Sequence, residues 1–398
     1  MRDIKKISAD WIYPISSPPI KNGILVFNRN GGILELIDPG ETTEATGDVI
    51  KYDGILCPGF VNTHCHLELS WMKNKIPEKT GLGEFVIHVQ KAKQAALQEE
   101  ISEAIVLADI EMQNNGIVAV GDISNTDYSF EVKQLSKLFY HTFIEVYASM
   151  PWMAEEKFEK AKSIYNALKE NNLLGSISPH ATYSVSEPLF ALIKKHAEKY
   201  TSILSIHHQE TMDENLLFLN KTGWMVENMK KLGIDYSWFE STGKSPLESV
   251  AKFLPKVNPL LLVHNTFSNE NDIDFALSAF ENVFWCVCAN ANLYIENQLP
   301  DIPLLRSKTN KLTIGTDSLA SNHQLSVLEE MKTITYAFPE IPLHEVLKWS
   351  SLNGAQYLGI EERYGSFEKG KTPGINLITD ISKDLPTLTP GSKSIPIV

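Results

Sequence analysis

Short apolar runs alternate with amphipathic stretches along most of this chain. The runs, such as ILSIHH (203–208) and VFWCVC (283–288), have the length of buried strands. The stretches between them, including EFVIHVQKAKQAALQEE (84–100) and AEEKFEKAKSIYNALKE (154–170), repeat apolar residues at helical spacing. Eight such strand–helix units follow Gly59. Eight parallel strands joined by right-handed crossovers close into a TIM (β/α)8 barrel, so the pattern predicts an α/β protein of this fold.

Both ends of the chain lack this alternation of strands and helices. Residues 1–54 are short β-type runs broken by Pro, Gly and Asn, and the tail GSFEKGKTPGINLITD (365–380) reads the same way. The tail is too small to form a sheet alone, so we expect the two ends to pair as a small β-sandwich. The predicted division is therefore 1–56 and 363–398 for the sandwich and 57–362 for the barrel.

The amino-acid composition disfavours two classes of binding partner. The chain has 398 residues, 43% of them hydrophobic and 21% charged, which is typical of a soluble globular protein. Its net charge of −13 argues against nucleic acid or an anionic membrane as a partner, since both attract basic surfaces. The first residues lack the apolar core of a signal peptide, which predicts a cytoplasmic protein. With nucleic acid and membrane disfavoured, a small molecule is the expected binding partner. The four cysteines are expected to be buried thiols.

Titratable side chains stand at the ends of the predicted strands. His64 and His66 lie two residues apart in PGFVNTHCH, and alternate residues of a strand face the same side. Strand five ends in His207 and His208, and strand eight ends in Asp317. Catalytic groups of TIM barrels stand at the carboxyl ends of the strands, so these side chains are expected to meet.

This set suffices to hold one divalent metal ion. His64, His66, one histidine of strand five and Asp317 would supply three imidazoles and a carboxylate, leaving a position open for water. The ion would lower the pKa of that water towards neutrality. Zinc is the favoured ion and ferrous iron the alternative, because nitrogen and carboxylate ligands suit both.

The order of these motifs resembles the amidohydrolase superfamily. PGFVNTHCH, His180 in SPHATYS, HxxE at strand five, His264 at strand six and GTDSLASN at strand eight stand in that family's order. Strand four ends without a lysine, so the resemblance is to the branch of aromatic deaminases that bind a single metal ion.

The resemblance implies roles for individual residues. In that branch the first residue of HxxE binds the metal and its glutamate moves protons, which implies His207 as the ligand and Glu210 as the general acid. His208 would then face away as a structural residue. Asp317 and His264 would orient the attacking water, although a plain core role for His264 stays open.

The residues implied to contact the substrate lie on several loops: Glu68, His180, Tyr183, Asn290 and Ser318. The loop CANANLYIENQLPD after strand seven departs from the pattern of many relatives. Asn290 and Asn292 in this loop either present amides to a polar ligand or form a structural turn.

Hydrolytic deamination of an amino-substituted N-heterocycle is the function that the resemblance implies, through attack by hydroxide generated at the metal. HLELS and the strand-eight segment resemble the aminodeoxyfutalosine deaminases of menaquinone biosynthesis, and the whole also resembles S-adenosylhomocysteine deaminase-like proteins. The expected substrate is therefore a 6-aminopurine nucleoside such as aminodeoxyfutalosine. Relatives are often dimers, which makes a homodimer the expectation.

Other functions stay open from the sequence. The same scaffold also hydrolyses amides, cyclic ureides and chlorinated triazines, and adenosine, S-adenosylhomocysteine or guanine are alternative substrates for a deaminase. A non-catalytic binding protein is disfavoured because every ligand and both proton-handling carboxylates are present.

Overall fold

The structure, a computed structural model, describes residues 4–40, 48–234, 236–382 and 386–398. The chain begins with short strands: β1 (Ile4–Ile12), β2 (Ile20–Lys21), β3 (Ile24–Asn28), β4 (Ile33–Ile37) and β5 (Ile50–Pro58). The central strands follow: β6 (Phe60–Cys65), β7 (Ile117–Ser124), β8 (Phe139–Val146), β9 (Leu174–Pro179), β10 (Leu204–His208), β11 (Leu260–His264), β12 (Val283–Val287) and β13 (Leu312–Ile314). The last two are β14 (Ile375–Ile381) and β15 (Leu388–Pro396).

The central strands form two parallel four-stranded sheets, ordered β6-β7-β8-β9 and β10-β11-β12-β13. Isolated bridges join the sheets at both edges, between Cys65 and Asp317 and between Ala181 and His207. The continuous hydrogen-bonded ladders stop at these two edges. Eight parallel strands with helical crossovers make a TIM-barrel-like α/β fold, as the alternating pattern predicts.

Burial on both faces explains why the strands read as unbroken apolar runs. In β11, Leu260 and Leu262 pack in the large core beneath the helices, whereas Leu261 and Val263 fill the interior between the strands. Gly315 lets the segment after β13 approach β6, because a Cβ there would lie 2.8 Å from the Cβ of His64. The strand ends are thus drawn together at one edge.

The helices are α1 (Leu82–Gln94), α2 (Gln98–Asn114), α3 (Phe130–Leu135), α4 (Ala154–Glu170), α5 (Glu187–Tyr200), α6 (Met212–Asn220), α7 (Trp224–Asn228), α8 (Pro246–Val250), α9 (Glu270–Ala279), α10 (Ala289–Ile295), α11 (Ile302–Lys308), α12 (Val327–Ala337), α13 (Leu343–Trp349) and α14 (Leu352–Leu358). The single helix predicted over 84–100 is wrong, since α1 ends at Gln94 and α2 starts at Gln98. The break falls in an alanine-rich stretch, where helix propensity gives no stop signal. None of the helices described combines the length and the apolar character needed to cross a bilayer.

The two ends of the chain pair with each other. β14 runs antiparallel to β5, with Ile375 opposite Pro58 and Leu377 opposite Leu56. These strands belong to one seven-stranded sheet of order β15-β14-β5-β1-β3-β4, with β2 on β1. The pairing of the ends is therefore present, whereas the sandwich and the boundaries 1–56, 57–362 and 363–398 stay predictions. Residues 1–3 and 41–47 of the first segment lie outside the described residues.

Asn62 connects β6 to the segment after β13. Its buried amide donates to Thr316 Oγ1 at 2.8 Å and accepts from the Thr316 N–H at 3.0 Å. We expect Asn62→Ala to lower the free energy of unfolding by about 2 kcal/mol, because buried polar groups of Thr316 lose their partner. Denaturant titration checks this, with Asn271→Ala on the exposed surface of α9 as the control, expected to change it by less than about 0.5 kcal/mol. Equal stability of the two variants would contradict the assigned role.

Candidate metal centre and substrate cavity

Three imidazole rings meet at the carboxyl ends of the strands. His66 Nε2 lies 3.2 Å from His64 Nε2 and 3.3 Å from His207 Nε2. Asp317 Oδ1 lies 3.4 Å from His66 Nε2 and 3.7 Å from His64 Nε2. All four residues are buried. The structure therefore brings together the four residues that the sequence predicts as metal ligands.

The backbone around Asp317 fixes the direction of its carboxylate. The N–H groups of Thr316 and Asp317 both donate to the carbonyl oxygen of His64, at 3.1 and 3.0 Å. Asp317 has a φ of +54°, a left-handed conformation that non-glycine residues adopt at a cost. Ser321 Oγ donates to Asp317 Oδ2 at 2.5 Å. With Oδ2 engaged, Oδ1 is the oxygen left to face the histidines.

The protonation states suit a cation. Burial lowers the pKa of His64 well below its usual value and that of His66 to about 4, so both rings are neutral at pH 7. Burial raises the pKa of Asp317, but hydrogen bonding to His64 and the neighbouring His66 ring outweigh it, and the pKa of Asp317 lies well below the usual range. A carboxylate and neutral imidazoles converging at a buried point form a donor set that a divalent ion satisfies.

His207 and His208 are separated by their hydrogen bonds. His207 Nδ1 lies 2.8 Å from the carbonyl oxygen of His180, so this nitrogen carries the proton and Nε2 offers a lone pair to the cluster. His208 Nδ1 lies 3.0 Å from Asn265 Oδ1 on the other side of the strand. Within the described part of the chain His208 Nε2 has no hydrogen-bond partner. The geometry therefore assigns His207, and not His208, to the cluster.

A carboxyl group and a fourth imidazole lie beside the cluster. His264 Nε2 is 3.6 Å from Glu210 Oε1. His264 Nδ1 lies 3.1 Å from Asn292 Oδ1, and since the amide nitrogen of Asn292 donates to Thr266, the imidazole is the donor of this bond. Asn292, in α10, therefore holds His264 with a lone pair on Nε2. Burial raises the pKa of Glu210 to about 8, which keeps its carboxyl group protonated at neutral pH.

A cavity of about 580 Å³ opens onto this cluster. It is lined by most of the residues predicted for the site: His66, His180, Tyr183, His207, Glu210, His264, Asp317 and Ser318. Apolar residues of α1 and of the segment before α4 also line it, including Phe85, Val89 and Met153. Lys93, Lys157 and Lys231 also line it.

Hydrogen bonds fix the position of the loop that carries His180 and Tyr183. His180 Nδ1 lies 2.6 Å from Ser184 Oγ, within the same loop. Thr182 Oγ1 donates to Glu214 Oε1 at 2.5 Å, and Tyr236 donates its hydroxyl to the carbonyl of Tyr183 at 3.2 Å. These bonds hold the loop at the cavity wall.

Glu68 and Asn290 are not among the residues that line this cavity. Glu68 accepts hydrogen bonds from the backbone N–H groups of Asn125 and Thr126 at 2.8 and 3.2 Å, and from the Thr126 hydroxyl at 2.7 Å. The N–H of Asn290 donates to Glu330, and its Oδ1 accepts from Thr333. Their polar groups are used within the protein, so the structure does not place them to meet a ligand here.

Sequence reasoning missed Glu145, which ends β8 and lines the cavity. The signal was available, because Glu145 obeys the same rule of titratable residues at strand ends. The role of Asn292 in orienting His264 carried no such signal, since it depends on a contact between residues 28 apart in the chain.

Comparison with known proteins identifies the family of this chain. The model of the Amidohydrolase family matches residues 55–392. An adenosine deaminase of Helicobacter pylori is 26% identical over 329 residues, covering 82% of this chain and 79% of that protein. A 5′-deoxyadenosine deaminase of Methanococcus vannielii is 28% identical over 382 residues, covering 90% of this chain and 83% of that protein.

A solved structure shows the likeness in fold. The crystal structure of Helicobacter pylori aminofutalosine deaminase in complex with methylthio-coformycin superimposes with a TM-score of 0.79 at 22% identity. The match covers 96% of this chain and 94% of that chain. At this identity the likeness shows a shared TIM-barrel-like fold.

The two adjacent histidines of β10 allow a direct test of the metal centre. We expect His207→Ala to lose the metal ion, because one of the converging Nε2 atoms is removed. His208→Ala should keep it, since that ring faces Asn265. Metal analysis of both purified, folded variants checks this, and loss of metal from His208→Ala with retention in His207→Ala would reverse the assignment.

Proposed function

Because the chain belongs to the amidohydrolase family, we propose that it is a metal-dependent hydrolytic deaminase of a 6-aminopurine nucleoside. The observation that carries the proposal is the buried carboxyl group of Glu210 on the wall of the cavity, beside three converging imidazoles and a carboxylate. Burial raises the pKa of this group to about 8. Protonation of a ring nitrogen is a step that deamination of an N-heterocycle needs, and a neutral buried acid is suited to it.

His64, His66, His207 and Asp317 would hold the divalent ion, with zinc favoured over ferrous iron for this set of ligands. When bound, the ion supplies an activated water and stabilises negative charge in the transition state. The remaining chemistry falls to side chains of this chain.

Glu210 and Asp317 divide the movement of protons. Glu210, with a pKa of about 8, holds a proton that it can donate to the ring nitrogen next to the amino-bearing carbon. Asp317, with its lowered pKa, stays anionic and can accept the proton released by the attacking water. His264, held by Asn292, turns an Nε2 lone pair towards the same place and orients that water.

The finer proposal concerns the nucleoside. The two relatives are named for deamination of adenosine and 5′-deoxyadenosine, which share the 6-aminopurine ring. Apolar side chains and lysines line the cavity together with the reacting groups, and its volume of about 580 Å³ leaves room for an extension on the sugar. An extended nucleoside such as 6-amino-6-deoxyfutalosine would use this room, which would give the enzyme a role in menaquinone biosynthesis. The cytoplasmic location and the homodimer belong to this proposal as predictions.

A panel of substrates tests the reaction. We expect metal-replete protein to release ammonia from 6-amino-6-deoxyfutalosine faster than from adenosine, 5′-deoxyadenosine or S-adenosylhomocysteine. Adenosine and 5′-deoxyadenosine lack a long extension on the sugar, and the extension of S-adenosylhomocysteine is a charged amino acid, which suits the apolar cavity wall less well. Guanine, a cyclic ureide and a chlorinated triazine serve as controls. Turnover of the ureide or the triazine, with no ammonia from any nucleoside, would contradict the proposal and favour the other hydrolases of this scaffold.

The pH dependence tests the role of Glu210. A general acid works only while protonated, so kcat/KM should fall as pH rises through the pKa of Glu210, at or below about 8, since a bound cation lowers it. Glu210→Gln should reduce kcat by about 10²- to 10⁴-fold and remove this alkaline limb while keeping the metal.

Glu330→Gln is the matched control for this experiment. Burial also raises the pKa of Glu330 to about 8, but this residue does not line the cavity. The alkaline limb of the pH profile should therefore remain in Glu330→Gln. A limb that disappears in Glu330→Gln and remains in Glu210→Gln would show that a different carboxyl group is titrating.

A further inference from the structure

Glu145 presents an unused acceptor to the substrate cavity. Its side chain is buried at the end of β8 and lines the cavity. Oε2 accepts from Asn125 Nδ2 at 2.9 Å. Oε1 is buried, and within the described residues no hydrogen bond reaches it. A buried acceptor on a cavity wall that the protein leaves unpaired indicates that a ligand supplies the donor.

The nearby histidines do not take this role. His207 Nδ1 lies 3.6 Å from Oε1, beyond hydrogen-bond distance, and its proton is already directed to the carbonyl of His180 at 2.8 Å. His180 Nδ1 is engaged with Ser184. The ligand atoms of Glu145, His180 and His207 lie within 4.8 Å of one another, but both nitrogens of His207 are committed, Nδ1 to the carbonyl of His180 and Nε2 to the histidine cluster, which argues against a second metal ion there.

The free atom of Glu145 is a carboxylate oxygen. Its partner Oε2 is already used as the acceptor of the Asn125 amide. A carboxylate oxygen accepts hydrogen bonds and cannot donate them. The ligand atom that meets Oε1 must therefore carry a hydrogen.

The position of Glu145 relative to the ring of His207 decides which part of a nucleoside it meets. His207 Nε2 faces the converging ligands, where the amino-bearing carbon must react, whereas Nδ1 faces Glu145. Glu145 thus lies on the outer side of this ring. Apart from its amino group, an adenine nucleoside has polar hydrogens only on the hydroxyl groups of its sugar, since N1, N3 and N7 are acceptors.

We propose that Glu145 is a specificity-determining residue that binds a 2′- or 3′-hydroxyl of the substrate's ribose through Oε1. This inference rests on the proposed function and adds the sugar class to it: a ribonucleoside is preferred to its deoxy analogue at that position. Hydrogen bonds to a charged group are stronger than neutral ones, so loss of this bond has a measurable effect on kcat/KM.

Neighbouring groups hold Glu145 in the orientation that this role needs. The backbone N–H of Asn125 donates to Glu68 Oε1 at 2.8 Å, and the amide of the same residue holds Glu145 Oε2. Glu68 thus acts on the loop over 125–126, and Asn125 fixes which oxygen of Glu145 stays free. This arrangement gives the ribose contact to Glu145 rather than to Glu68, for which the sequence predicts substrate binding.

Deoxynucleosides test the proposal on the metal-replete enzyme. We expect kcat/KM for adenosine to exceed that for 2′-deoxyadenosine, 3′-deoxyadenosine or both by about 10- to 100-fold. 5′-Deoxyadenosine should match adenosine, since it keeps both hydroxyls in question. In Glu145→Ala the ratio of kcat/KM for adenosine to that for the deoxy analogue should fall to about one. The change should come from a lower kcat/KM for adenosine, with an unchanged value for the deoxy analogue.

Two further variants separate this role from a structural one. Glu145→Gln keeps the shape and a neutral acceptor, so an intermediate preference with full metal content is expected. Glu330→Gln removes a buried carboxyl group outside the cavity and should keep the wild-type preference.

Three results would overturn the inference. A folded, metal-loaded Glu145→Ala that keeps the wild-type preference would exclude the contact. Loss of metal, or an equal loss of kcat for every nucleoside, would show that Glu145 acts through the histidines instead. A wild-type enzyme that deaminates adenosine and both deoxynucleosides equally would exclude the inference alone, whereas absence of turnover on every nucleoside would remove the proposed function together with it.

Discussion

The crowding of three imidazoles and a carboxylate at one buried point is the constraint on which the site depends. Neutral rings with facing lone pairs gain nothing from such proximity, so the surrounding structure must impose it. Four residues at or just after the strand ends, Gln209, His264, Asn265 and Asp317, adopt left-handed backbone conformations. Contacts from distant parts of the chain, such as the paired amide of Asn62 and the hydroxyl of Ser321, maintain this geometry. A divalent ion would turn the same crowding into a favourable interaction.

The same buried environment gives two carboxyl groups opposite properties. Burial raises the pKa of both Glu210 and Asp317, but only Asp317 has close imidazole partners that reverse the effect. Glu210 lies 3.6 Å from the ring of His264, whose proton is directed to Asn292, and the nearby His207 lowers the pKa of Glu210 less than burial raises it. One group is therefore held as an acid and the other as a base within one cavity. This separation of pKa values is what lets a single site give and take protons at the same pH.

Much of the fold and of the candidate centre could be predicted because its signals are local. Buried parallel strands are unbroken apolar runs, and the four converging residues directly follow such runs. Glu68 and Asn290 could not be placed in this way. Whether a polar side chain faces a ligand or the protein depends on partners such as Asn125 and Thr333, which lie 57 and 43 residues away in the chain. The break between α1 and α2 was missed because alanine-rich sequence carries no stop signal.

The ring of His207 connects the two halves of the site. Its Nε2 joins the cluster that favours a cation, and its Nδ1–H is fixed by the carbonyl of His180. Because that proton is committed to the backbone, Glu145 stays free of the histidine although its oxygen is only 3.6 Å away. One hydrogen bond therefore has two effects: it sets the tautomer that a metal ligand needs, and it leaves an anionic oxygen for the substrate. The converging ligands at Nε2 and the carboxylate of Glu145 near Nδ1 therefore lie at the two nitrogens of one imidazole ring.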